Sequence, residues 1–207
     1  MRIFHIQTSG IAESDDLAAL TAAGTPAQGF IWVACARREF EVTQAQVQNM
    51  LQALCGQQLV DLHISDLINN QLPSHYDYTS QYDVLVFRRL AAGSPHSTAS
   101  GAVQPRTHEP TRAGPPILRR IDTSPVGFAV FDRVLLTVHP TDCAVRDTYA
   151  AKLLQAVAVE SHGAGARMPT GPADLMLRVI NQMVDGFLEL RRELTHQLDH
   201  WQSELLN

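Results

Sequence analysis

The sequence has no apolar run long enough to cross a bilayer. Its longest runs, Gly29–Ala36 and Val126–Phe131, fall far short of the ~20 residues a membrane helix needs. It has no CxxC pair and only three cysteines, Cys35, Cys55 and Cys143. That odd, scattered set speaks against a disulfide framework and reads as reduced core thiols of a cytoplasmic protein. Charge is sparse as well: 18% of the 207 residues are charged, and the formal net charge is −5. The Arg37-Arg38, Arg88-Arg89, Arg119-Arg120 and Arg191-Arg192 pairs stand apart and form no basic stripe, so nucleic acid is not an expected partner. The phosphate-cradling patterns GxGxxG and GxxxxGK[ST] are missing, and the glycines of HGAGA (162–166) do not follow a strand. The opening residues MRIFHIQTSG lack the apolar centre of a signal peptide.

What is present is a globular pattern, with 45% hydrophobic residues. Arg2 to Gln7 reads as a short strand and residues 8 to 28 as loop with one helical turn. GFIWVACA (29–36) is a continuous apolar run, as expected of a strand buried on both faces. Thr43 is positioned to cap a helix, with Gln46 as the third residue of a capping box. Val47, Met50, Leu51 and Leu54 give that helix one apolar face, and Gly56 stops it. Leu59 to Ile64 reads as a link, and Ser65 as the cap of a short helix that ends before Pro73. YDVLVFRRL (82–90) is a second strong strand.

Residues 91 to 116 hold five prolines and three glycines and almost no large aliphatic side chain. They read as a flexible insertion between strands, without chemistry of its own. A strand is expected over Ile117–Ile121. VGFAVF (126–131) and VLLTVH (134–139), separated by Asp132-Arg133, read as a hairpin. Thr141 or Asp142 then caps a helix running to about Val159, its apolar face formed by Val145, Tyr149, Leu153 and Val157. Residues 161–169 read as a linker.

From Pro172 to Asn207 the sequence is the most regular. Met176, Ile180, Met183, Phe187, Leu190, Leu194, Leu198, Trp201 and Leu205 recur at spacings of three and four. That is a heptad-like stripe on a helix of about 54 Å at ~1.5 Å per residue. The pattern carries no stop signal at its end, as expected of a longer helix that has been cut.

The order of these elements, with HISDLIN (63–69), DYTSQYDVLVFRRL (77–90), FAVFDRVLLTVH (128–139) and PADLMLRVINQMVDGFLELRRELTHQLDHW (172–201), resembles the cytosolic N-terminal half of the CorA family of divalent-cation transporters, which includes the ZntB branch. The resemblance covers residues 29 to 207, and the 91–116 stretch departs from the family's shorter connection. It implies an α/β fold: a layered α/β/α cytosolic domain with a central mixed sheet over residues 1–160, then a truncated stalk helix over 170–207. In the family the stalk continues into two membrane helices, the first ending in Gly-Met-Asn; neither is among these residues. The resemblance further implies a homopentamer at the cytoplasmic face of the inner (plasma) membrane. Divalent cations held between its subunits bias the pore closed. Mg²⁺ is the first expectation, with Co²⁺ or Zn²⁺ as alternatives.

The same resemblance nominates two metal ligands. Asp66 matches the family's acidic residue facing a neighbouring stalk, with Ser65 where a second carboxylate often stands. Asp174 matches an acidic residue at the start of the long helix. Hard cations prefer such carboxylates, often through retained water. Each aspartate has a second reading, as an acid favoured at a helix N-terminus by the dipole.

Other constellations are weaker. His196 and His200, with Glu193 and Asp199, have the i,i+4 spacing of a Zn²⁺ pair or form a solvated helix face. His5, His63, His75 and His139 read as structural. Cys143 with Asp142 and His139 lacks any oxyanion-hole signature, so no enzyme activity is expected. Two functions compete with a magnesium and cobalt transporter domain: a ZntB-like zinc transporter domain, towards which nine histidines tilt, and a stand-alone coiled-coil oligomerisation module.

Overall fold

The run Phe30–Ala36 is apolar throughout because its strand is covered on both faces. In this computed structural model, residues 1–8, 10–24, 26–90, 123–141, 143–159 and 168–206 are described. The strands are β1 (Arg2–Gln7), β2 (Gly10–Ser14), β3 (Phe30–Ala36), β4 (His75–Tyr78), β5 (Asp83–Leu90), β6 (Thr123–Val130) and β7 (Val134–His139). The helices are α1 (Leu17–Ala23), α2 (Arg37–Cys55), α3 (Asp61–Ile68), α4 (Ala144–Val159) and α5 (Pro172–Leu206). The strands form one sheet in the order β2-β1-β3-β7-β6-β5-β4. Among the described residues only the β3–β7 pair is parallel and the other pairs are antiparallel, so the sheet is mixed, as expected.

Alternation along β3 divides the core in two. Ile31, Val33 and Cys35 join Phe40, Val47, Met50, Leu51 and Leu54 of α2 and Ile64 and Leu67 of α3. Phe30, Trp32 and Ala34 join Tyr149 and Leu153 of α4 and Leu175, Val179 and Met183 of α5. Helices therefore cover both faces and give the three layers α/β/α. The β6–β7 hairpin turns at Asp132-Arg133, closed by the Phe131 N–H donating to the Val134 carbonyl at 2.9 Å.

Several expectations are corrected. Residues 8 to 28 contain β2 and α1 rather than mainly loop; Asp16 caps α1 through a 2.9 Å bond from the Ala19 N–H. Helix α2 starts at Arg37, and Thr43 lies inside it, donating its hydroxyl to the Glu39 carbonyl at 2.8 Å. The start is instead served by Glu39, which accepts from the Ala36 N–H. Gly56 ends α2 as expected, with φ of 69°. Helix α3 starts at Asp61, so Ser65 is an interior residue and not a cap. Strand β4 escaped notice because only four residues pair. On α5 the buried edge is Leu175, Val179 and Met183, with Met176 and Ile180 partly covered. Met183 belongs to the expected stripe, but Leu175 and Val179 replace Met176 and Ile180 at the helix start because this part of the helix meets the sheet, not another helix. The expected insertion at 91–116, the strand at 117–121, most of the linker and Asp142 lie outside the described residues, as does the side chain of Val157.

Candidate functional site

Asp66 lies in the second half of α3, where the helix dipole no longer favours an acid, so the capping reading of this residue falls. Its neighbours Ile64 and Leu67 turn into the core, and Leu67 lies against Gly127 of β6. This fixes α3 on the sheet and leaves Asp66 half-buried. Across from it stands β4. Asp66 Oδ2 lies 3.4 Å from His75 Nε2, and the two side chains are 16% and 29% exposed. His75 Nδ1 lies 3.3 Å from the Pro73 carbonyl.

One turn earlier on α3 a second pair joins the same elements. His63 is buried, with Nε2 3.2 Å from Asp77 Oδ2 and Nδ1 2.9 Å from the Tyr82 hydroxyl. The carboxylate only accepts, so Nε2 carries the proton; in the neutral ring Nδ1 accepts from Tyr82. The Tyr82 oxygen also accepts from the Val60 N–H at 3.0 Å. The Tyr78 N–H and His63 hold the Asp77 carboxyl below the usual carboxylate range.

Asp174 stands in the first turn of α5 and already has a cation. Arg178, four residues on, donates from Nε and Nη2 to its two oxygens, each at 3.0 Å. The Thr170 N–H adds a 2.9 Å bond. These partners, Arg178 first, hold Asp174 below the usual carboxylate range. Asp174 also lines an open cleft of about 500 Å³ between the start of α5, the Thr79–Asp83 turn and the β6–β7 turn; Asp83 and Asp132 share that cleft. Asp66 is not part of it. The two aspartates ride on helices covering opposite faces of the sheet, so one chain does not bring them together. Among the described residues no group of three or more His, Cys, Asp or Glu side chains gathers as a metal centre.

The remaining candidates have other partners. His200 pairs with Glu204 at 3.4 Å on the exposed face of α5, and His196 is exposed. Burial raises the Cys143 thiol, which opposes formation of a nucleophilic thiolate. Burial also lowers His139 to about 4. No described helix is long and apolar enough to cross a membrane. Sequence reasoning missed His75 and Arg178. The i,i+4 spacing of Asp174 and Arg178 was a usable signal, whereas nothing local links Asp66 to His75.

No family model matches the sequence, and no curated protein matches it. Solved structures do. The full-length CmaX protein superposes with a TM-score of 0.63 at 12% identity, over 97% of this chain and 50% of that one. The soluble domain of CorA from Methanocaldococcus jannaschii gives 0.58 at 12% identity, over 99% and 64%. The cytoplasmic domain of ZntB from Vibrio parahaemolyticus RIMD 2210633 gives 0.54 at 13% identity, over 95% and 64%. The chain thus spans half to under two thirds of the length of these structures. The resemblance read from residues 29 to 207 is borne out at the level of architecture: this chain has the fold of the CorA soluble domain and the ZntB cytoplasmic domain.

Proposed function

We propose that the chain is the cytosolic regulatory domain of a CorA-like divalent-cation transporter, sensing Mg²⁺ or Co²⁺ between subunits and biasing the pore of the full-length protein. The observation that carries this reading is the shared fold, in which a three-layer α/β/α domain runs directly into a long helix. The first turns of α5 are fixed to the sheet by Leu175, Val179 and Met183. Beyond Met183 no described side chain is buried, and Val184, Leu188 and Leu198 are exposed. A lever anchored at one end and carrying exposed apolar side chains among its charged ones is suited to packing between copies in a homo-oligomer, a pentamer on this reading.

Asp66 is the stronger of the two cation ligands. A hard cation needs only one or two protein carboxylates and keeps its other waters, and Asp66 is reachable by water and by a neighbouring chain. Asp174 serves only where Arg178 gives way. Cations bound by one subunit arrangement stabilise that arrangement, which is how binding biases a pore. A zinc-selective variant of the same function is favoured by one feature, the imidazole of His75 beside Asp66.

The test is cation flux into proteoliposomes holding the full gene product. Uptake of Mg²⁺, Co²⁺ or Zn²⁺ that falls as the cation accumulates on the cytosolic side is expected. A product that moves none of the three contradicts the reading.

A further inference from the structure

The Arg37-Arg38 and Arg88-Arg89 pairs stand apart in the sequence, but the fold brings one arginine of each to a single place. Arg37 opens α2, directly after β3, and Arg88 lies near the end of β5. Asn70, in the link between α3 and β4, touches both. Its side-chain oxygen accepts from Arg37 Nη1 at 3.2 Å, and its carbonyl accepts from Arg88 Nη1 at 3.3 Å. Arg37 Nη2 also donates to the Pro125 carbonyl at 2.6 Å. Arg88 donates to the Thr123 hydroxyl and carbonyl at 2.9 and 2.7 Å, and to the Leu72 carbonyl at 2.9 Å.

Every one of these acceptors is neutral. Among the described residues no carboxylate stands within ion-pair distance of Arg37 or Arg88. Two half-buried guanidinium groups therefore meet at Asn70 without an acidic partner beside them. The carbonyls fix their positions and ease their desolvation but do not cancel their charge. Burial lowers Arg37 from its ordinary value; exposed Glu41, one turn further along α2, opposes this, and the charges of Arg88 and Arg89 add to the fall. Arg37 Nε is also closed off from solvent with no acceptor. A buried donor left over in this way marks a place that a water or an ion completes. Water satisfies the donor alone, whereas an anion also answers the charge.

We propose that Arg37, Arg88 and Asn70 form a seat for a phosphate group. Two positive charges match a dianion. Guanidinium forks pinned by backbone carbonyls present donors in fixed directions, the geometry in which arginine recognises phosphate. Donors remain to be used: Arg37 gives hydrogen bonds only from Nη1 and Nη2, one to each acceptor, and Arg88 Nη2 gives one. Asn70 turns its oxygen to Arg37, which leaves its amide nitrogen to donate. A carboxylate offers two oxygens and one charge; a phosphate offers more of each to three converging side chains. A bound phosphate would brace the start of α2, the α3–β4 link and the ends of β5 and β6 together. This chemistry stands whether or not the chain gates a pore.

The experiment follows thermal unfolding of the 207-residue chain against inorganic phosphate, with acetate and chloride at equal ionic strength as controls. A saturable rise in Tm is expected with phosphate and not with the controls. Arg37→Gln should weaken the apparent affinity by ~10-fold or more. Asn70→Asp, at an exposed position, places a carboxylate between the two arginines; it should raise the Tm of the free protein and abolish the phosphate response. Flotation with phosphatidic acid vesicles, against phosphatidylcholine vesicles, separates the two sources of the group. A phosphate response assigns a soluble phosphorylated ligand, and Arg37-dependent flotation without that response assigns a lipid headgroup. Arg37-dependent binding to neither probe, acetate or chloride acting as well as phosphate, or an Asn70→Asp protein no more stable than the parent overturns the proposal.

Discussion

The Asp66 carboxylate on α3 lies 3.4 Å from the His75 imidazole on β4, and one helical turn back the order is reversed, with His63 on α3 meeting Asp77 on β4. The two pairs lash a short helix to a four-residue edge strand. Their inner anchor is Tyr82, which serves both Val60 and His63. Tyr82→Phe leaves the buried His63 Nδ1 and the Val60 N–H without their partner and should cost about 1–3 kcal/mol. Urea unfolding measures it; an unchanged midpoint contradicts the described network.

The buried indole makes a second, independent prediction. Trp32 Nε1 donates to the Thr137 hydroxyl at 3.0 Å, across the β3–β7 pair. Thr137→Val keeps the shape and removes the acceptor, for a loss of about 1–3 kcal/mol. Adding Trp32→Phe should recover part of the acceptor loss in a double-mutant cycle. Strict additivity of the two changes argues that the bond contributes nothing.

His139 sets a pH dependence. It is 1% exposed, and burial lowers it to about 4 from its ordinary 6.5. The folded state thus prefers the neutral ring. Its stability contribution is fully present above pH 6.5 and drains away as pH falls towards 4, by about 3 kcal/mol in total. His139→Gln should flatten the fall in stability between pH 6.5 and 4 relative to the parent. Parallel curves for the two proteins contradict this assignment.

Two glycines separate strain from crowding. A Cβ at Gly29, where φ is 77°, would stand 2.0 Å from the Ile6 carbonyl oxygen, whereas one at Gly56, where φ is 69°, meets nothing within 4 Å. Gly56→Ala should cost only the left-handed backbone strain, about 1 kcal/mol. Gly29→Ala adds a clash with rigid backbone and should cost roughly 3 kcal/mol or more. Equal thermal shifts for the two variants contradict the close approach of the Gly29 turn to β1.

Arg178 makes the role of Asp174 testable. The pair is about a third exposed, so Arg178→Met should cost under about 1 kcal/mol. Its larger effect is to release the carboxylate. Asp174→Asn should leave the Mg²⁺ response of the parent unaltered and should weaken it in the Arg178→Met background. Mg²⁺ titrations of the four proteins check this, and an effect of Asp174→Asn in the parent contradicts the reading that Arg178 guards the site.

How much of this was legible in the sequence depends on how far each feature reaches along the chain. Continuous apolar runs revealed β3, β7 and the β6–β7 hairpin, because strands covered on both faces must be apolar throughout. The period of α5 was equally plain and Met183 packs as expected, but in the first turns the packed edge was misread by one residue, since Met176 and Leu175 are equally apolar and only the sheet chooses between them. The start of α2 was misplaced because its cap is Ala36, a residue with no capping side chain, while Thr43 offered a false one. Asp66 was nominated by a resemblance, and its neighbour His75 was read as structural. Their meeting is set by the docking of α3 against the edge of the sheet, which no local spacing encodes.

Limited proteolysis of α5 in the full gene product, across a titration of Mg²⁺ and of Zn²⁺, tests most directly whether this fold senses divalent cations through Asp66. Cation should protect the helix from cleavage, and Asp66→Ala should move the midpoint of protection to higher cation concentration. Cleavage that ignores cation, or an identical midpoint in Asp66→Ala, would contradict the proposed function.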